Sequence, residues 1–339
     1  MQTTIEEATE EASSVNSNTF DFTYLLEKIA KAEFLHHPFR HIEIKNFFSD
    51  EHFYAITTSP QVRIARANTT KELIDTLFAQ GYEVIPFPGC TVSVRDYLHW
   101  LKRHSGYENI RTCEGFGLTF RLKHFHDPIL AALDEFFKSA AFKATLEQKF
   151  GIVRPTSSDT GLQKYLHGYE ISPHPDIRKK ALTYMLNVNP CSNSEDLDIH
   201  THYLTFKPEK RFIGEFWRYN EAYDRCWLPW EWCETVKRQC QNNSIVIFAP
   251  SWDTLHGIKL NYDHLVTQRT QFYGNLWYQD VPFSPTMPQY YQFDFKPQPK
   301  PMIRTRKSVL KSYAKQFESY AKRMVPQPLK RLIKLVIRS

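Results

Sequence analysis

The stretch QKYLHGYEISPHPDIRKKALTYMLNV, residues 163–188, decides the fold. It is built of short β-branched and aromatic runs split by turn signals, which predicts strands over Gln163–Ser172 and Ala181–Val188. The same texture continues downstream in Tyr203–Phe206, Arg211–Tyr219, Ser244–Phe248, Thr254–Leu260 and Thr267–Tyr278. Strands at such short spacing imply a sandwich or barrel. Upstream the pattern is helical. A helix is expected from Phe20 to Ala32, followed by one strand over His41–Phe48. Thr69 or Thr70 can cap a helix that runs to Gln80 and stops at Gly81. Another helix is expected over Val94–His104. Asp127 before Pro128 is an N-cap with proline at the first helical position, opening a helix that carries Leu130, Leu133, Phe136 and Phe137 and ends before Gly151. Helices first and strands after give an α+β organisation with a β core.

Composition removes several classes. The chain has 339 residues, 42% hydrophobic and only 11 glycines, enough to bury a core and unlike a low-complexity or collagen-like sequence. No apolar run reaches the ~18 residues of a membrane span. Residues 1–20 hold Glu6, Glu7, Glu10 and Glu11 and no basic residue, unlike a secretory signal, and are expected to be disordered. The six cysteines form no C-x-x-C pair and are expected to be free thiols of a cytoplasmic protein. Cys226, Cys233 and Cys240 recur every seven residues, as on one face of a half-buried helix.

Charge is unevenly spread. Residues 300–339 hold twelve Lys and Arg against Glu318, a charge of +11; subtracting it from the chain's +6 leaves −5 on the rest. A basic groove for nucleic acid in the body of the protein is therefore not expected. In the tail, Leu329, Leu332, Ile333, Val336 and Ile337 separate from Lys330, Arg331, Lys334 and Arg338 at helical spacing. Residues 326–339 could lie on an anionic membrane surface, dock on an acidic partner or form a solvated helix.

Three places carry candidate chemistry. His174 and Asp176 stand two apart at a strand end, where i and i+2 share a face. His256, opening a later strand, can supply a third ligand. Two histidines and one carboxylate on one face of an octahedron leave three positions open, which suits non-haem Fe(II) holding a cosubstrate and oxygen together. Arg269, in the aromatic strand that follows, needs an anion if buried, and a dicarboxylate would provide it. Three other clusters have competing readings. His124–Asp127 could bind a metal or simply begin a helix. His200 and His202 could touch substrate, bind metal or lie on a solvated strand. Trp217, Trp227, Trp230 and Trp232 could pack as core or lid, or stack on a flat substrate such as a sugar.

With these motifs in place, the sequence resembles the Fe(II)- and 2-oxoglutarate-dependent dioxygenases of the prolyl-4-hydroxylase-like branch. The family's H-x-D, distal His and following basic residue resemble His174, Asp176, His256 and Arg269. ALTYMLNVNP, IGEFWRYN and NNSIVIFAPSWDTLHGI resemble its strands, and HPFRHIEIKNFFSDEHFYAI its opening segment, over roughly residues 36–280. The resemblance implies a double-stranded β-helix (jelly roll) with helices outside one sheet, spanning residues 21–290. It implies Fe(II) on His174, Asp176 and His256. It also implies 2-oxoglutarate chelated to the metal and paired with Arg269, O2 as oxidant, ascorbate as an accessory reductant, and substrate hydroxylation with release of succinate. Arg269 lies thirteen residues after His256 where the family has nine or ten, so Lys259 is the competing partner. Tyr165 is the expected second contact to 2-oxoglutarate; Tyr184 is another, with Met185 competing for the inward position. His200, His202 and Trp217 are the expected substrate contacts. Asp176 argues against a halogenase, which has a small residue there. A peptide, saccharide, lipid-linked intermediate or small metabolite fits as substrate. Two other functions stay open: a jelly-roll metal enzyme that does not use 2-oxoglutarate, and a non-catalytic binding protein tethered to the membrane by its tail.

Overall fold

The computed structural model describes residues 20–85, 93–103, 117–223 and 226–281. The chain separates into two units, Met1–Phe293 and Asp294–Ser339, and the described residues all fall in the first. The expectations for residues 1–20 and for the basic tail lie outside them, apart from Phe20 itself.

The described helices are α1 (Tyr24–Lys31), α2 (Asp50–Thr58), α3 (Thr70–Ala79), α4 (Val94–Arg103), α5 (Pro128–Lys138), α6 (Ala140–Phe150) and α7 (Arg211–Tyr219). The strands are β1 (Ile42–Lys45), β2 (Tyr82–Val84), β3 (Thr119–Leu122), β4 (Thr156–Tyr165), β5 (Glu170–His174), β6 (Lys180–Asn187), β7 (His202–Phe206), β8 (Cys233–Arg238), β9 (Ser244–Phe248), β10 (His256–Lys259) and β11 (Arg269–Tyr278). They form two antiparallel sheets. The major sheet has the order β1-β9-β6-β11-β4-β3-β2 and the minor sheet β5-β10-β7-β8.

Local chemistry sets the helix ends. The Thr69 side chain accepts from the Glu72 N–H at 3.2 Å and caps α3. Asp127 accepts from the Ile129 N–H and caps α5 as expected. The single helix expected up to Gly151 is instead two. Ser139 ends α5 in extended geometry and caps α6 by accepting from the Phe142 N–H, so its hydroxyl competes for the backbone and breaks the run.

Strand alternation splits the major sheet into two faces. Leu162, Tyr184, Leu186, Phe272 and Leu276 join the helical core. Phe137 of α5 stacks on Tyr184 at 5.6 Å and on Phe272 at 5.1 Å between ring centroids. Its full burial contributes about 1.5–3 kcal/mol. Tyr165, Met185, Arg269, Gln271, Tyr273 and Asn275 point the other way, into a cavity.

Three sequence expectations are corrected here. Arg211–Tyr219 is helix α7, not a strand: its apolar Ile213 and Trp217 recur at helical spacing and bury in a satellite cluster with Trp232 and Leu255. The predicted strand Gln163–Ser172 is the end of β4, a turn at Gly168 (φ +82°) and β5, because Gly168 alone readily takes the left-handed turn. The cysteine heptad is on no helix. Cys226 is in a loop, Cys233 opens β8 and Cys240 follows it. These three and Cys191 are free thiols.

Candidate metal centre and cosubstrate cavity

His174 ends β5 and His256 begins β10, and the two pair directly in the antiparallel register. Gly257 lets these strands close up: a Cβ there would lie 3.1 Å from the Pro173 nitrogen and 3.2 Å from the Ile171 carbonyl oxygen. Asp176 does not reach the site by strand alternation, since β5 ends at His174. It sits in the left-handed region at φ +72°, which an aspartate tolerates better than most residues. The turn brings its carboxylate back against both imidazoles. Asp176 Oδ1 lies 3.8 Å from His174 Nε2, and Oδ2 lies 3.8 Å from His256 Nε2. One ligand atom from each residue lies within 4.8 Å of the others, and all three residues are buried.

The donor set suits a cation. His174 Nδ1 is 2.8 Å from the Ser172 carbonyl and His256 Nδ1 is 3.0 Å from the Thr254 carbonyl. With Nδ1–H donating to these carbonyls, each Nε2 presents its lone pair to the centre. Burial, helped by the neighbouring His256, pushes the His174 pKa down to about 3; burial also lowers that of His256. Both imidazoles are thus held neutral, as metal ligation requires. Burial alone would raise the Asp176 pKa. The Lys180 ammonium, through its charge and its hydrogen bond, outweighs it and holds the carboxyl well below its usual range. Lys180 Nζ donates to Asp176 Oδ1 and Thr183 Oγ1 to Oδ2 at 2.7 Å, so the carboxylate is oriented at both oxygens.

These residues line a cavity of about 470 Å³ that also holds Arg269, Tyr165, Thr201, Gln271 and Trp227. Arg269 is 3% exposed and donates to Thr201 Oγ1 at 3.0 Å. Its guanidinium lies 4.6 Å from the centre of the Tyr165 ring. Among the described residues, no carboxylate pairs with it. Burial lowers its pKa, against the pull of the Tyr165, Tyr169 and Tyr262 hydroxyls. Extra residues between β10 and β11 absorb the longer spacing from His256. They include Tyr262, whose hydroxyl accepts from the Arg269 backbone N–H at 3.0 Å.

Other expected site residues lie elsewhere. Lys259 points outward, 64% exposed, with its nitrogen 3.4 Å from Glu170, because it alternates with Ile258. Tyr184 is on the helical face between Phe137 and Phe142, and Met185 lines the cavity in its place. His200 Nε2 meets the Glu195 carbonyl at 2.9 Å, and His202 Nδ1 meets Thr235 Oγ1 at 2.9 Å; neither lines the cavity. Trp217 packs in the satellite cluster with Arg178 4.0 Å over its ring. Trp227 is the tryptophan at the centre, 5.1 Å from the His174 ring. The His124–Asp127 segment holds a helix cap, with His124 largely exposed 3.8 Å from Glu83.

Sequence reasoning missed Lys180, Thr183, Thr201 and the mouth pair Arg121–Asp159. Part of that signal was present: in ALTYMLN, Thr183, Met185 and Asn187 alternate and therefore share the inward face.

No protein-family model and no curated protein sequence matches the chain. Among solved structures, it is similar to a prolyl-4-hydroxylase of Pseudomonas putida, at 9% identity over 75% of this chain and 98% of that one, with a TM-score of 0.37. It is similar to an oxidoreductase of the 2OG-Fe(II) oxygenase family from Burkholderia pseudomallei, at 8% identity over 66% and 98% of the two chains, TM-score 0.27. It is also similar to HygX of Streptomyces hygroscopicus, a structure with nickel and 2-oxoglutarate bound, at 10% identity over 66% and 97%, TM-score 0.28.

Proposed function

We propose that the protein is an Fe(II)- and 2-oxoglutarate-dependent oxygenase that hydroxylates its substrate, built on a jelly-roll core. The observation that carries this reading is the buried His174–Asp176–His256 group sharing one cavity with the buried Arg269, which no described carboxylate neutralises. A metal enzyme without a dicarboxylate cosubstrate would leave Arg269 unexplained.

In this reading His174, Asp176 and His256 would hold Fe(II), which when bound would supply the O2-dependent oxidation of the substrate with decarboxylation of 2-oxoglutarate to succinate. The protein's own residues orient and shield. The Ser172 and Thr254 carbonyls fix the imidazole tautomers. Thr183 and Lys180 fix the carboxylate. Arg269 and Thr201 receive the far carboxylate of 2-oxoglutarate through charge-assisted bonds, with the Tyr165 ring against the guanidinium. Trp227, Ile171, Ile258 and Met185 supply apolar walls that restrict water. Ascorbate would serve as the accessory reductant.

We further place the oxygenase unit at residues 21–290 of a cytoplasmic protein, with residues 291–339 as a basic helical tail. Among the described residues, no helix is long and apolar enough to cross a membrane. Residues 326–339 would give weak peripheral contact with an anionic surface, and nucleic acid is not a partner. The test is conversion of 2-oxoglutarate to succinate by the purified full chain. Turnover that requires added Fe(II) and O2 and disappears in Asp176→Ala is expected. Absence of turnover with iron bound would remove 2-oxoglutarate from the reading.

A further inference from the structure

Among the described residues, Lys180 is the buried cation of the cavity that the proposed cosubstrate chemistry leaves without a ligand of its own. Its side chain is 9% exposed. An ammonium has three donors. Two go to Asp176 Oδ1 and, at 2.8 Å, to the Tyr273 hydroxyl. Among the described residues, the third has no hydrogen-bond acceptor. The Tyr273 and Trp277 rings lie 5.5 and 5.7 Å from the nitrogen.

Position separates this cation from Arg269. Lys180 is in register with Trp277 and Tyr165 with Arg269, at opposite ends of β11. The ammonium reaches inward from its end to the Tyr273 hydroxyl and Asp176, and β11 runs four residues on from Arg269 to Tyr273, about 13 Å of strand rise. The Arg269 end is closed, with Arg269, Tyr165 and Gln271 all buried. Among the described residues the Trp277 end is open: Asp159, which lines it, is 43% exposed. The negative charge of Asp159 is already matched by Arg121 at 2.8 Å, and Arg121 can lie across the sheet because Gly161 has no side chain; a Cβ there would be 2.8 Å from Arg121 Cδ.

We propose that Lys180 anchors the substrate through an oxyanion, a carboxylate or a phosphate monoester, so that the substrate of this site is a small anion entering past Trp277 and Asp159. The inference rests on the oxygenase reading. A dication on Asp176 shares the carboxylate that otherwise neutralises Lys180, leaving two cations close together in a site of low dielectric. An anion at the free donor of Lys180 restores the balance. Arg269, at the other end and occupied by 2-oxoglutarate, cannot serve both.

The test loads the full chain with Co(II) and saturating 2-oxoglutarate and titrates propionate, methyl phosphate, propionamide and methylammonium by calorimetry. Saturable binding of one or both anions, with unchanged Co(II) absorption, is expected. Propionate binding over propionamide or methyl phosphate binding alone identifies the group. Affinity should fall about tenfold or more in Lys180→Gln, which retains a donor toward Asp176, and in Lys180→Met. Anion binding unchanged in both variants, preference for methylammonium, or no saturable anion binding overturns the inference alone. If either variant does not fold, the charged-over-neutral preference of the wild-type protein decides. Failure of Co(II) or 2-oxoglutarate to bind at all overturns the oxygenase reading and this inference with it.

Discussion

His174 and His256 face each other across the antiparallel β5–β10 pair, with ring centroids 4.3 Å apart. Two neutral imidazoles this close, each with Nδ1 committed to a backbone carbonyl, gain nothing from each other that apolar side chains would not supply better. The cation proposed above would explain the pairing. His256→Ala should therefore lower Co(II) or Ni(II) affinity by at least about 100-fold while leaving the thermal transition of the metal-free protein nearly in place, as calorimetry and circular dichroism would show.

Arg269→Leu should raise the 2-oxoglutarate concentration needed for half-maximal turnover by about 100-fold, since a buried charge-assisted pair is lost. Lys259→Ala should leave it unchanged, because that side chain is 64% exposed and points away from the cavity. Steady-state kinetics of the two variants checks both statements, and the opposite pattern would move the carboxylate to Lys259.

Lys164 lies on the helical face of β4, fully buried, donating to the Val62 carbonyl and to Thr270 Oγ1, each at 2.7 Å. Among the described residues, no carboxylate pairs with it. Burial pushes its pKa from 10.5 down to about 7. Between those values the unfolded chain holds a proton that the folded chain has released. Stability should therefore rise with pH from about 7 toward 10.5, by up to about 1.4 kcal/mol per pH unit from this group. Urea midpoints across this range test it; in Lys164→Met this contribution should vanish and the slope flatten.

Gly274 faces the Tyr184 ring across β6 and β11, and a Cβ there would lie 2.1 Å from Tyr184 Cζ. Phe137 and Phe142 box that ring in, so it cannot swing aside. Gly274→Ala should destabilise the protein by about 1–3 kcal/mol, read as a lower urea midpoint with an unchanged slope.

Deleting residues 326–339 should abolish low-salt sedimentation of the protein with phosphatidylserine vesicles and leave 2-oxoglutarate turnover intact. The proposed ligands all precede residue 270, and each basic residue near such a surface contributes about 1 kcal/mol. Sedimentation that survives the deletion would place the contact elsewhere.

The sequence by itself determined the chemical alphabet of the site and most of the frame. His174, Asp176, His256 and Arg269 are legible because ligand types, strand-like flanks and a following buried basic residue are local properties. So is the α5 start at Asp127–Pro128, where one side chain caps its own backbone. Tertiary structure decided what depends on partners distant in the chain. RFIGEFWRY has four aromatic residues and the β-branched Ile213, which suit a strand, yet becomes α7 because Ile213 and Trp217 meet Trp232 and Leu255. Tyr184 and Met185 are adjacent, and only the packing of α5 and α6 on one face settles that Met185 faces the cavity. Trp227 rather than Trp217 reaches the metal centre for the same reason. Asp176 arrives through a left-handed turn, which periodicity does not encode. Lys180 carries little signal in the run IRKK. It acquires a role only when β6, β11 and the Asp176 turn bury its ammonium beside a carboxylate and a tyrosine, where an incompletely bonded charge has a free-energy cost that solvent would otherwise remove.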